Sequence, residues 1–251
     1  MADIVRYYLP SSGAAAHTPD WDASFASYYN NAYKYAAVTT KIVSTQTEKE
    51  GAILQIGTET VAGVMWVSPA QSAHEWTTND AIEAQLYGRY NANVTSASLY
   101  AVFRVMNADC SSNRGILWEG TLPTPLTGNW RGNSRALTAG GGHVHVQNAV
   151  SMQGGDHIVI EVGFTITGTA QYAGCIILTG DDQDSDFPVN ETTTTYTDDV
   201  WVEFTMEAAS GVDVTPTPTE ITGTFSQPAP IVAIVGPAVG AYVSPTIIMG
   251  W

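Results

Sequence analysis

Short apolar runs separated by turn residues recur along the whole chain, and they constrain the fold more than any other feature. In residues 81–90, for example, Ile82, Ala84 and Leu86 alternate with polar residues, which is the period of a half-buried strand. We predict strands at 4–9, 35–44, 60–67, 81–90, 99–106, 116–119, 144–150, 158–166, 173–178 and 200–207. Many short strands with turns between them predict an all-β fold, a jelly-roll-like antiparallel β-sandwich.

Helical periodicity is almost absent from the chain. One modest helix is predicted over residues 22–35, where aromatic and small residues recur at spacings of three and four, with Asp20 or Asp22 as its cap. The residues that carry this pattern are Phe25, Tyr28, Tyr29, Ala32 and Tyr33.

The composition excludes several classes of partner. Charged residues make up only 13% of the chain, and 24 acidic against 9 basic residues give a net charge of −15. Binding to nucleic acid or to an anionic membrane surface needs clustered Lys and Arg, so neither is expected. The N-terminal residues lack the basic and apolar regions of a signal peptide, so we expect synthesis in a cytoplasm.

The last 31 residues, 221–251, contain no charged side chain. They follow a stiff Thr-Pro linker at 208–220, and six of the twelve prolines lie in the last 41 residues. Proline is excluded from central strands, so we predict a β-sandwich domain at 1–207 followed by an extended apolar arm. The arm residues expected to bind a partner are Phe225, Ile231, Val235, Tyr242, Ile247, Ile248 and Trp251.

Residues 231–249 are also uncharged, but they do not predict a membrane span. Pro237 and Pro245 interrupt the stretch and no Lys or Arg flanks it. The two cysteines, Cys110 and Cys175, are too few for a disulfide framework. We therefore predict that both are reduced and buried.

An acidic cluster in residues 180–191 has two interpretations. Alternating carboxylates can bind Ca²⁺, and the candidate ligands are Asp181, Asp182, Asp184 and Asp186. The spacing does not match an EF-hand loop, and an acidic surface turn explains the same residues. No other cofactor is expected.

No catalytic motif is present in the sequence. His143 and His145 would share one face of a strand, but a metal site needs a third ligand. The candidates are His157, Asp156 and Cys110, although nothing in the sequence places them near the two histidines. With so many carboxylates, a pair suited to glycoside hydrolysis is not excluded by the sequence. No nucleophile motif, phosphate-binding loop or metalloprotease motif occurs. The expectation from the residues is therefore that the chain is not an enzyme.

Seven Trp and twelve Tyr residues are many for this length. Trp66, Trp76, Trp118, Trp130 and Trp201 lie at predicted strands or strand ends. Most fit core packing, whereas exposed members could stack on sugar rings or anchor a protein interface.

Four sequence blocks resemble a family of tailed-bacteriophage virion proteins. They are RYYLPSSGAAAHTPDWD (6–22), GGDHIVIEVGF (154–164), TGDDQDSDFPVNETTTT (179–195) and WVEF (201–204). The resemblance covers residues 4–207 in scattered blocks and implies a jelly-roll-like virion component, without implying any site.

Together these features lead to one functional hypothesis and one alternative. The hypothesis is a capsid decoration (cement) protein of a bacteriophage particle, made in the host cytoplasm. It would bind the major capsid protein and form a homo-oligomer, for example a trimer, through its arm. The alternative is a receptor- or glycan-binding protein of a phage tail or head fibre.

Overall fold

The computed structural model describes residues 3–28, 33–40, 44–53, 56–128, 131–134, 143–170, 173–181 and 200–206. Within these ranges the chain forms fifteen strands and no helix. They are β1 (Asp3–Tyr8), β2 (Ser27–Tyr28), β3 (Lys34–Ala36), β4 (Ser44–Ile53), β5 (Gly57–Val67), β6 (His74–Trp76), β7 (Ala81–Ala92), β8 (Val94–Met106), β9 (Asn113–Pro125), β10 (Arg131–Ser134), β11 (Val144–His145), β12 (Val150–Met152), β13 (His157–Gly168), β14 (Ala173–Asp181) and β15 (Trp201–Met206).

Seven of the strands form sheet A, in the order β1-β15-β7-β14-β4, with β10 and β11 also paired to β7. All of its pairs are antiparallel. β15 is paired on both sides, by β1 and by β7, so the last described strand is an interior strand of the sheet.

Sheet B has the order β2-β5-β13-β8-β9, with β3 also paired to β5. The short strands β2 and β3 run parallel to β5, and the long pairs are antiparallel. β13 joins β5 to β8, although it lies far from both in sequence. Such pairing of sequence-distant strands is typical of jelly rolls. A separate two-stranded sheet joins β6 and β12.

The main core lies between the two sheets and takes side chains from both. Ile82, Leu86 and Phe204 come from sheet A, and Phe103 and Phe164 come from sheet B; all are fully buried. Phe204 and Phe103 meet edge to face with ring centroids 6.0 Å apart. The predicted all-β sandwich is therefore confirmed.

The outer face of sheet B is also covered, which the sequence did not lead us to expect. Residues 10–28, here called the strap, pack Trp21 and Phe25 against Met65, Val102 and other residues of this face. β13 is consequently buried on both sides, and this explains why its sequence is apolar almost without alternation.

The outer edge of sheet B is capped by side chains. Gln147 accepts a hydrogen bond from the Glu119 N–H (3.1 Å) and donates to the Glu119 carbonyl (2.9 Å), so its amide replaces a neighbouring strand. Asn148 donates to the Ile116 carbonyl at 3.2 Å. Capping of this kind protects an edge from pairing with another chain.

Three sequence-based predictions about local structure are wrong. The described part of 35–44 contains the end of β3, an isolated bridge at Val38 and a bend, and β4 begins only at Ser44. The described part of 22–35 contains a turn and two short strands instead of a helix, because Phe25 and Trp21 pack onto sheet B. The expected single strand at 144–150 is two short strands, β11 and β12, in different sheets.

Leu9 hydrogen-bonds to two residues, Gly180 and Val200, that are distant from it in sequence. Its carbonyl accepts a hydrogen bond from the Gly180 N–H at 3.0 Å, and its N–H donates to the Val200 carbonyl at 3.2 Å. The linker 208–220 and the arm 221–251, with its seven candidate partner-binding residues, lie outside the described residues.

Candidate functional site

A buried charge pair on the outer face of sheet B is the centre of the most elaborate polar cluster among the described residues. Arg104 of β8 and Glu161 of β13 point away from the main core, and Arg104 Nη2 donates to Glu161 Oε1 at 2.9 Å. Glu161 is fully buried and Arg104 is 5% exposed. Both charges are therefore removed from water, which is costly unless each is well paired.

The strap supplies the remaining contacts of this pair. The Asp22 N–H donates to Glu161 Oε1 at 3.0 Å, and Arg104 donates to the Asp20 carbonyl. Lys34 of β3 donates from Nζ to the Pro19 carbonyl at 2.6 Å. Three backbone groups of residues 19–22 are thus held by charged side chains of the sheet, which fixes the path of the strap.

Burial changes the proton affinity of two groups in this cluster. Desolvation raises the pKa of Glu161 to about 7, against the opposing effects of Arg104 and the Asp22 N–H. Desolvation also lowers the pKa of Lys34, and the charges of Asp20 and Glu161 act in the other direction. The cluster therefore contains a carboxyl group that titrates near neutral pH.

A second carboxylate group lies at the edge of the same cluster. The Ser24 hydroxyl is 2.6 Å from Asp22 Oδ1 and 2.9 Å from Glu119 Oε2. A hydroxyl has one hydrogen to donate, so it bonds one carboxylate at a time unless the other is protonated. The Ser24 N–H also donates to Asp22 Oδ1 at 2.9 Å, which closes a tight turn in the strap.

Next to this cluster the strap opens into a surface cavity of about 340 Å³. Its walls include three aromatic residues and three charged ones: Trp21, Phe25, Tyr28, Asp20, Asp22 and Lys34. Tyr28 is 56% exposed, and the Trp21 indole N–H has no hydrogen-bond partner among the described residues. Trp21 and Phe25 meet edge to face at 5.8 Å, and Lys34 Nζ lies 5.8 Å from the Trp21 ring.

A comparable buried pair lies on the outer face of sheet A. Arg6 donates from Nε to Glu203 Oε2 at 3.0 Å, and its guanidinium lies 4.2 Å from the centre of the Trp201 ring. This pair joins the first strand to the last described strand, so its position indicates a structural role.

Most of the predicted calcium ligands lie outside the described residues. The backbone of Asp181 ends β14 opposite Ser44, and Asp182, Asp184 and Asp186 lie outside the described residues. His143 and His145 are neighbours, with ring centroids 5.1 Å apart. In the ranges described, no group of three or more His, Cys, Asp or Glu side chains has the geometry to hold a metal ion.

The other candidate ligands have structural partners. Asp156 accepts hydrogen bonds from Arg114 Nε (2.5 Å) and the Gln153 N–H (2.7 Å), and His157 Nδ1 lies 2.8 Å from the Ser68 carbonyl. Burial would raise the pKa of Asp156, but these hydrogen bonds lower it below its usual value.

Both cysteines are free and buried, as predicted.

Four of the five tryptophans singled out in the sequence, Trp66, Trp76, Trp118 and Trp201, are buried, and Trp130 lies outside the described residues. Trp21, which lines the cavity, was not among them. The sequence carried one sign of the buried polar cluster: Arg104 and Glu161 are single charged residues inside apolar runs.

Comparisons with known proteins give structural matches only, since no protein-family model and no curated protein matches the sequence. Two structures of a CocE/NonD family hydrolase from Staphylococcus aureus align with 82% of this chain, at 9% and 10% identity and TM-scores of 0.41 and 0.29. The chain spans 37% and 34% of their lengths, about a third.

A further match is to a chain in the structure of infectious bursal disease virus, Gt strain. It covers 67% of this chain and 35% of the viral chain, at 10% identity and a TM-score of 0.27.

The hydrolase alignments correct one sequence-based expectation. The expectation that the chain is not an enzyme is wrong by this comparison, because the structures aligned with 82% of it belong to a hydrolase family. We therefore drop that expectation. At these TM-scores the alignments assign no reaction to this chain.

No helix in the ranges described has the length and hydropathy needed to cross a bilayer.

Proposed function

We propose that this chain is a structural component of a bacteriophage particle. Its most specific form is a capsid decoration (cement) protein that binds neighbouring subunits of the major capsid protein and stabilises the shell. Support comes from the resemblance of residues 4–207 to tailed-phage virion proteins and from the charge-free arm at 221–251.

The observation that carries the proposal is the position of β15. This strand is already paired with β1 and β7, and Met206 at its end lies opposite Asp3. Within the described residues, both edges of the last strand are therefore already paired. An apolar segment of this length is a liability on a free monomer, and it gains stability where it lies across neighbouring subunits.

The experiment compares the full chain with a variant that ends at residue 210. We expect the truncated chain to keep its β-type circular dichroism and its cooperative unfolding, and to lose binding to capsid shells of the phage that encodes it. If the truncated chain unfolds, the arm belongs to the core of its own domain and the proposal fails.

A full-length variant controls for the length of the arm. Replacing Ile247, Ile248 and Trp251 together by Ser keeps the chain length and removes apolar surface. Shell binding should fall at least tenfold in co-sedimentation, and sedimentation velocity should show loss of the homo-oligomer. Unchanged binding would show that the arm is not the docking element.

A further inference from the structure

The cavity on the strap has the chemistry of a saccharide site. Sugar rings present a C–H face that stacks on aromatic side chains and a rim of hydroxyl groups that bond to carboxylates and ammonium groups. The cavity combines both kinds of group within about 340 Å³, inside the roughly 300–1,000 Å³ of small-ligand sites. We infer that it binds a neutral saccharide, with Tyr28 as the stacking platform and Asp20 as a hydroxyl acceptor.

Tyr28 is one of two large apolar side chains that are exposed in the described ranges. Its side chain is 56% exposed, and the other large apolar side chain that is exposed in the described ranges, Ile56, lies in the turn before β5. Tyr28 sits beside Trp21 and Phe25 on the cavity wall, and Ile56 is not part of this wall. An exposed ring next to a polar cavity offers a stacking surface.

One polar side chain of the wall, Asp20, is available to a ligand. The Asp20 side chain is exposed and makes no hydrogen bond within the described residues. Asp22 uses Oδ1 for Ser24, and Lys34 uses Nζ for the Pro19 carbonyl. Asp20 can therefore accept from a sugar hydroxyl without losing a hydrogen bond to another described residue.

The walls are held rigidly before any ligand arrives. The Asp22 N–H is bonded to Glu161, the Asp20 carbonyl to Arg104, and the Ala26 N–H to the Thr60 carbonyl at 2.9 Å. A buried ion pair is a costly way to add stability, but it can fix one conformation of a segment. A fixed wall reduces the entropy lost on binding a small ligand.

The acidic charge of the cavity wall favours neutral over anionic saccharides. Two of the three charged residues on the wall, Asp20 and Asp22, are acidic, and the whole chain carries a net charge of −15. Sialic acid, uronic acids and sulfated sugars would be repelled by these groups. The ligand class is therefore the neutral pyranosides.

The test uses the full chain on an array of neutral, sialylated and sulfated glycans. Saturation-transfer NMR then uses methyl β-glucoside, methyl β-galactoside, maltose and N-acetylglucosamine as neutral probes, with sialic acid and choline as charged probes. We expect binding of at least one neutral saccharide and no binding of sialic acid. Failure of every neutral glycan and probe, or preferential binding of sialic acid or choline, would overturn the inference.

Variants place the binding in the cavity. Tyr28→Ala should weaken binding at least tenfold, Tyr28→Phe should keep it within about twofold, and Asp20→Asn should weaken it severalfold. Ile56→Ala is the matched control, because it removes the other exposed large apolar side chain of the described ranges, which is 70% exposed, and it should change nothing. Equal binding by Tyr28→Ala and the wild type would refute this site.

The saccharide site does not depend on the proposed particle role. Loss of sugar binding in Tyr28→Ala with shell binding intact would separate the two, and failure of either experiment leaves the other result standing.

Discussion

Arg104 and Glu161 form a hydrogen-bonded ion pair, 2.9 Å between Nη2 and Oε1, on the face of sheet B that lies away from the main core. They are diagonal neighbours, because Glu161 lies opposite Val102 and Arg104 lies opposite Val159. Their side chains hold the strap, so the stability of this pair and the shape of the cavity wall depend on the same contacts.

Removing one partner should be far more harmful than removing both. Arg104→Met leaves Glu161 buried without its cation, and we expect a loss of about 3–5 kcal/mol in the free energy of unfolding at pH 8. The double variant Arg104→Met/Glu161→Leu should recover most of that loss. Urea unfolding of both variants measures the difference, and equal losses would show that the pair is not energetically coupled.

The titration of Glu161 should make stability depend on pH. Its pKa rises from 4.5 to about 7 on folding, so its stabilising contribution is complete below pH 4.5 and is lost as the pH rises through 7. The difference corresponds to about 3 kcal/mol. The charged groups around it are Arg104, Asp20, Asp22 and Lys34.

The measurement for Glu161 is the free energy of unfolding from pH 4.5 to 8, in the wild type and in Glu161→Gln. Wild-type stability should fall with rising pH relative to the variant, which keeps the acceptor but has no titrating group. Parallel profiles for the two proteins would contradict the assigned titration.

Gly163 is needed for the close approach of the strap to β13. A Cβ at this position would collide with the Val61 carbonyl and would lie 2.7 Å from Phe25 Cε1. We expect Gly163→Ala to lower stability by about 1–3 kcal/mol and to weaken saccharide binding through displacement of Phe25. Gly154→Ala is the control, because nothing lies within 4 Å of its added carbon, and it should be neutral in thermal unfolding.

The two thiols should be unreactive in the folded protein. Burial raises the pKa of Cys175 to about 12, and it also raises the pKa of Cys110. We expect no reaction with a thiol reagent such as dithionitrobenzoate at pH 8 under native conditions, and two equivalents after unfolding in guanidinium. Rapid native labelling would mean that the core opens frequently.

The edge of sheet B should promote association between chains when the Gln147 side chain that caps it is removed. Gln147→Ala deletes both side-chain hydrogen bonds to the Glu119 backbone, at a cost of about 1 kcal/mol. Light scattering at high concentration should rise because an unpaired strand edge promotes association. Gln153→Ala is the comparison, since within the described ranges its side chain bonds only to Ser151 Oγ. Equal scattering by both variants would argue against edge pairing.

The sequence predicted the sandwich because most of its long strands are apolar and regular. The runs at 60–67, 99–106 and 158–166 fall inside β5, β8 and β13. β4 was missed because TQTEKEG is mostly polar, and its pairing with β14 depends on tertiary contacts.

The strap could not be predicted from local pattern. Asp20 or Asp22 was expected to cap a helix, and in the structure the Asp22 carboxylate accepts a hydrogen bond from the Ser24 N–H in a turn instead. The aromatic spacing suggested a helix face, yet Phe25 packs over Gly163, which is distant in sequence. Local periodicity carries no information about such contacts.

The candidate site was missed for a similar reason. Arg104 is 57 residues from Glu161, and Asp22 is 139 residues from it. Only β8–β13 pairing and the return of the strap bring them together. A lone charge inside an apolar strand, as at Arg104 and Glu161, is the one local sign of such a cluster, and it does not name the partner.

Leu9 gives the domain a natural insertion point. Because one residue of the N-terminal chain bonds both Gly180 and Val200, the ends of the intervening stretch are held together independently of what lies between them. Loop-closure entropy grows slowly with loop length, so lengthening an insert between these two anchors would cost little additional free energy. The same position is suited to the display of a foreign peptide, because the two hydrogen bonds to Leu9 hold the residues at both ends of the insert.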